Sequence, residues 1–139
     1  MAGSKSDYLE NAILNAILGG PAFALPPNIF IALSTAAYSD AATGTSMSEV
    51  SSAGTAYGRV AQTNNATNWP ASSGGTKSNG TVITFNAATA DWGTVNSFYI
   101  VDTLSAGNIL YGADLTTPRT VVNGDTASFA VGAIAITEN

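Results

Sequence analysis

The hydrophobic pattern changes period along the chain. Near the N-terminus, Leu9, Ile13 and Ile17 fall at i, i+4 and i+8 with Ala12 and Ala16 beside them, the spacing of one helix face. Ser6 stands where an N-cap belongs, and Asp7 places a negative charge in the first turn. A helix is therefore predicted over 7–19, ended by Gly19-Gly20-Pro21. Leu14 and Leu18 widen the apolar arc until only Glu10, Asn11 and Asn15 interrupt it. So wide an arc must be buried on most sides, against the helix's own core or against another subunit.

Beyond Pro26-Pro27 the period shortens. "NIFIALST" reads as a buried strand and "TAYGRVAQ" as a second. "TVITF" (81–85), "TVNSFYIVD" (94–102), "NILYGADL" (108–115) and "RTVV" (119–122) follow in quick succession. A last strand is predicted over 126–137, with a bulge near Gly132, where the alternation of Phe129 and Val131 shifts to Ile134 and Ile136. Asn123-Gly124-Asp125 has the composition of a type I′ hairpin turn. The stretches 36–54 and 63–80 are small and polar, and predict long loops of the kind that are functional or lie on a partner. One helix with roughly six to eight strands predicts a mainly β protein. It would be a single domain over 1–139, an antiparallel β-sandwich or jelly-roll-like body (27–137) preceded by one N-terminal α-helix.

Composition changes the expected surface. Only 9% of residues are charged while 45% are hydrophobic, against a usual charged share of about 25%. The exterior must then be built from Ser, Thr, Asn and Gly, or be covered in part by other copies or partners. The net charge is −5, and the cations are Lys5, Arg59, Lys77 and Arg119. Four scattered cations cannot neutralise a run of phosphates, which argues against nucleic acid as a partner. The most apolar region is broken by Gly19-Gly20-Pro21 and Pro26-Pro27, and no basic amphipathic helix suggests a membrane surface. The start "MAGSKSDYLEN" lacks the layout of a signal peptide, and the absence of Cys fits a reducing compartment. A soluble protein made and kept in the cytosol, or assembled there into something larger, is expected.

The stretch "DWGTVNSFYIVDTLSAGNILYGADL" (91–115) gathers acids, glycines and aromatics, the ingredients of a calcium loop, a carboxylate active site or a sugar-stacking platform. Asp91, Asp102, Asp114 and Asp125 recur every 11 or 12 residues, the repeat of strand plus turn. That is far from the D-x-[DN]-x-[DN]-G spacing of a calcium loop. They read as caps of backbone amides at corners, with no metal. Without His or Cys there is no Ser–His triad, thiol nucleophile or zinc site with N or S ligands. A Ser–Lys pair using Lys5 or Lys77 has no supporting motif, and a carboxylate pair is available to any acidic protein. "SSGGTKSNG" (72–80) lacks the spacing of a phosphate loop. No catalytic residue and no cofactor is expected. Tyr57, Trp69, Trp92, Tyr99 and Tyr111 read first as core packing, then as interface, with stacking on a sugar ligand as the third alternative. Asn65–Thr67 and Asn79–Thr81 match the glycosylation sequon, which means little without secretion.

Longer segments are more distinctive than these motifs. "SDYLENAILNAILGG" and "PPNIFIALSTAA" open the chain, and N-A-T-N-W-P, A-D-W-G-T-V and L-T-T-P-R-T-V follow in order. Over essentially its whole length the sequence resembles the short structural proteins of tailed bacteriophages. Members of that family are often labelled phage tail fibre proteins, and similar small proteins serve as capsid decoration, or cement. The resemblance implies a non-enzymatic virion component and carries over no site residue. Between head and tail, the lack of repeats or of length for a shaft favours a decoration protein on the capsid surface. Such a protein would bind the major capsid protein lattice and stabilise the head as a homo-oligomer, dimer or trimer, through many weak contacts. The alternative is a tail fibre or minor tail protein involved in host attachment. The residues expected to contact partners are Tyr8, Leu9 and Ile13 from the helix, with Asn68 and Trp69 from the second loop.

Overall fold

A computed structural model describes residues 2–138. The elements are β1 (Ala2–Lys5), α1 (Asp7–Ile17), β2 (Asn28–Ser34), β3 (Val60–Thr63), β4 (Thr76–Ser78), β5 (Ile83–Thr84), β6 (Gly93–Val101), β7 (Ile109–Val121), β8 (Ser128–Phe129) and β9 (Ala135–Thr137). Seven strands form one sheet in the order β3-β2-β6-β7-β1-β9-β4, and β5 and β8 make a separate pair. Neighbours are antiparallel except β1 and β9. The sheet curls into a half-barrel. The expected β-sandwich or jelly roll is therefore corrected, because among the described residues the second sheet is only the two-stranded β5–β8 pair.

Two strands explain the difference. The segments 108–115 and 119–122, expected as separate strands, are one: β7 runs through Pro118. Between the pairs Val95↔Arg119 and Ser97↔Asp114 the register shifts, so β7 bulges where the proline lies and needs no ladder donor there. The expected last strand instead divides into two. Gly132 adopts a φ of +76° and Ala133 N–H donates to Ala130 O, a turn rather than a bulge, so β8 joins β5 while β9 joins β1 and β4. At Asn123-Gly124-Asp125 the turn is closed by Asp125 N–H to Val122 O, with positive φ at Gly124 alone. It joins strands of different sheets and is not a type I′ hairpin. "TAYGRVAQ" is extended only from Val60, and β1 and β4 were not expected at all.

The alternation read in β6 sorts its side chains between two cores. Phe98 and Ile100 join the large cluster with Ile31, Leu33, Tyr57 and Trp92. Tyr99 and Val101 face the other way, into a smaller cluster with Ala32, Met47 and Ile109. The first long loop covers that second face. It is held by Arg59, whose side chain is 2% exposed. Nε and Nη2 form a two-pronged pair with the Glu49 carboxylate, both at 2.8 Å. Nη2 also donates to Gly44 O, and Nη1 to Thr103 O and Ala106 O. A Cβ at Gly44 would collide with the Ala106 carbonyl, so glycine lets the two loops approach closely enough to share one guanidinium. Tyr57 completes the knot, donating to Glu49 Oε1 and accepting from Leu33 N–H.

The local readings hold at the caps. Ser6 accepts from Leu9 N–H and donates to Ile109 O, and the helix ends near its expected stop. Of the aspartates expected at corners, Asp102 and Asp125 accept amides of their own turns, from Asn108 and Val122, whereas Asp91 accepts from the distant Asn123 and Asp114, within β7, from Tyr38. The sequon at Asn79 is closed by burial, its amide bonded to Thr81 O, Ala130 O and Ile134 N–H. Among the described residues no helix is long and apolar enough to cross a membrane.

Glu49→Ala leaves the Arg59 charge buried without its carboxylate, and should cost about 3–5 kcal/mol in urea unfolding. A loss below about 1 kcal/mol would mean that the carbonyls alone hold the guanidinium. Burial also raises the tyrosines: Tyr38 from 10.0 to about 12, Tyr57 further, and Tyr111 in the same direction. The unfolded chain releases these protons at lower pH than the folded one. Their contribution is therefore complete below pH 10 and is lost as pH rises towards 12. Unfolding followed across alkaline pH with phenolate absorbance should show this fall, whereas a flat profile would contradict it.

Candidate functional site

An open apolar groove of about 520 Å³ lies between α1, the connection that follows it and one face of the sheet. Helix residues Leu9 and Ile13, one turn apart, form a wall because the Ser6 cap fixes where α1 begins. Ile29, Ile100 and Leu110 supply the sheet side from β2, β6 and β7. Phe23 and Leu25 close the groove from the connection that begins at Gly19-Gly20-Pro21, where the helix has stopped. The rim is polar, with Lys77 and Glu138, the latter in an ion pair with Lys5.

Trp69 also lines the groove while belonging to the core, 6% exposed. A tight turn sets it in place. Asn65 Oδ1 accepts the amides of Thr67 and Asn68, and Trp69 N–H donates to Asn65 O. Among the described residues the Trp69 indole N–H finds no hydrogen-bond partner, while the ring removes a large apolar area from water. Asn68 is committed internally: Nδ2 donates to Thr63 O, and Oδ1 accepts from Thr81 Oγ1.

Of the five residues expected to contact partners, Leu9, Ile13 and Trp69 thus meet at one groove. Asn68 neighbours it in sequence but is bonded within its own loop, and Tyr8, 43% exposed, does not line it. Missed were Phe23 and Leu25, although one signal was present: from Asn11 to Ser39 the sequence contains no charged residue.

A second cleft, of about 620 Å³, opens beside the far part of β7 and the β8 segment. Thr116, Thr117, Thr120, Thr126 and Ser128 line it with Arg119 and Asp125, beside apolar side chains that include Val95, Leu115 and Phe129, so it offers hydroxyls, a guanidinium and a carboxylate for hydrogen bonding next to apolar surface. Arg119 has no ion-pair partner among the described residues. No group of three or more His, Cys, Asp or Glu gathers among the described residues in a way that could hold a metal ion. Ser72 shares the first opening with Lys77 and Glu138, and Thr126 and Ser128 share the second with Asp125, but among the described residues no hydrogen bond couples a hydroxyl to any of these groups. The first can bury apolar groups and the second can hydrogen-bond polar ones.

Compared with known families, residues 4–137 match the one described as Podophage GP4 fiber I protein gp80. No curated protein matches the chain.

Trp69→Ala should destabilise the fold by about 3–5 kcal/mol, the cost of removing a buried indole. Tyr8→Ala should change stability by less than about 0.5 kcal/mol, since its ring is largely in water. Thermal unfolding of the two variants separates a core residue from a surface one. Equal melting temperatures would refute the assignment of Trp69 to the core.

Proposed function

The chain belongs to the podophage fibre I family, and on that premise we propose that it is a non-enzymatic part of the fibre apparatus on the phage tail, taking part in host attachment. It is a structural protein of the virion. The observation that carries the reading is the family match across residues 4–137.

The same match overturns the expectation of a capsid decoration protein. That expectation leaned on the lack of repeats and length for a shaft. The lack excludes only a shaft made by this chain alone; a compact domain can be one module of a fibre assembled from several. With the decoration role goes the reason for expecting the major capsid protein lattice as its partner.

Two features support attachment. The cleft lined by Thr116, Thr117, Thr120 and Arg119 presents the hydrogen-bonding groups that a polar cell-surface receptor requires. The surface is also poor in charge, so recognition would rest on hydrogen bonds and shape rather than on long-range attraction. A non-enzymatic role fits a family of fibre proteins and a sequence without His or Cys.

Immunogold labelling of virions should place this chain on the tail, and the fluorescently labelled protein should bind host cells saturably, with Arg119→Ala weakening that binding. Gold confined to the head, or no binding to any cell the virion infects, would overturn the reading.

A further inference from the structure

The end of α1 and the connection after it hold large aliphatic side chains in water. Leu14 is 56% exposed, Ile17 73%, Leu18 76% and Leu25 76%. This ridge adjoins the apolar groove, whose wall includes Leu25 itself. A contiguous apolar surface of this kind marks an interaction site.

Three observations select the occupant. A ridge and a groove of the same chemistry lie side by side, so a two-fold rotation can seat each copy's ridge in the other's groove and close the contact. The chain carries −5 overall, which opposes approach of another copy, yet the ridge lies within the uncharged run from Asn11 to Ser39. The borders carry opposite charges. Lys77 lines the groove and has no ion-pair partner among the described residues. Glu10, Leu14 and Ile17 fall at i, i+4 and i+7, which places an exposed carboxylate on the ridge's own helix face.

We propose that this face is an isologous interface between two copies of the chain. Ile17, Leu18 and Leu25 of one copy seat in the groove of the other, against its half-buried Ile13 and Phe23, and Lys77 meets Glu10 across the contact. The inference goes beyond the attachment role and does not rest on it.

Sedimentation velocity of the full chain, from low to high micromolar concentration, tests it. The wild type should sediment as a dimer. Leu18→Glu should weaken association about 100-fold or more, as expected for a charge placed in an apolar contact. Lys77→Glu should weaken it about 10-fold, and adding Glu10→Lys should restore it. Leu18, Lys77 and Glu10 are all exposed, so melting curves at a concentration where the chain is monomeric should be close to wild type. A wild type that stays monomeric overturns the proposal and leaves the face to a different chain. A trimer, or a dimer indifferent to both Leu18→Glu and Lys77→Glu, overturns it equally.

Discussion

Arg59 sets the constraint on which the rest of the structure depends. The curled sheet buries its central strands on both faces, but one of those faces has only a long irregular loop to cover it. A loop carries backbone carbonyls that need partners once they leave water. One guanidinium answers for three of them, at Gly44, Thr103 and Ala106, while its charge is matched by Glu49. The first loop is thereby fixed to the β6–β7 hairpin tip, and Tyr57 carries the same network to β2. With the loop fixed, Met47 seals the smaller cluster over Tyr99 and Val101. In a chain with few charges, this pair has a structural rather than a recognition role.

Features set by nearby residues were legible in the sequence. Ser6 as a cap, the helix after it, the opposite faces of β6 and the turn caps at Asp102 and Asp125 all follow from interactions within a turn or along one strand. What escaped was set by partners distant in the chain. "AGSK" has no strand character of its own, and β1 exists because β7 and β9 flank it. The continuity of β7 past Pro118 depends on its register with β6. The division at Gly132 depends on which strands receive each half, which no local pattern encodes. Counting strands without those relations turned one curled sheet into a sandwich.

The same contrast holds at the groove. Leu9, Ile13 and Trp69 were singled out as apolar residues in suggestive places, and the fold does gather them. Asn68 shared the loop but not the role, because its hydrogen bonds are satisfied by Thr63 and Thr81. The width of the apolar arc on α1 suggested burial on most sides, whereas only Leu9 of the helix is buried and Leu14 and Ile17 face water. A hydrophobic arc tells how much surface seeks cover, not who provides it.

The place of β1 in the sheet has a consequence for how the protein is made. A ribosome delivers residues 2–5 before anything else described here, yet their neighbours are Tyr111 and Gly112 on one side and Ala135 and Ile136 on the other. The sheet cannot be completed on a nascent chain until its most distant segments have emerged. Loop closure over such separations is slow. During that interval β1 has no partner strand, and the apolar side chains of α1 are already in water. Correct folding therefore depends on the first strand made staying unpaired until the last has emerged.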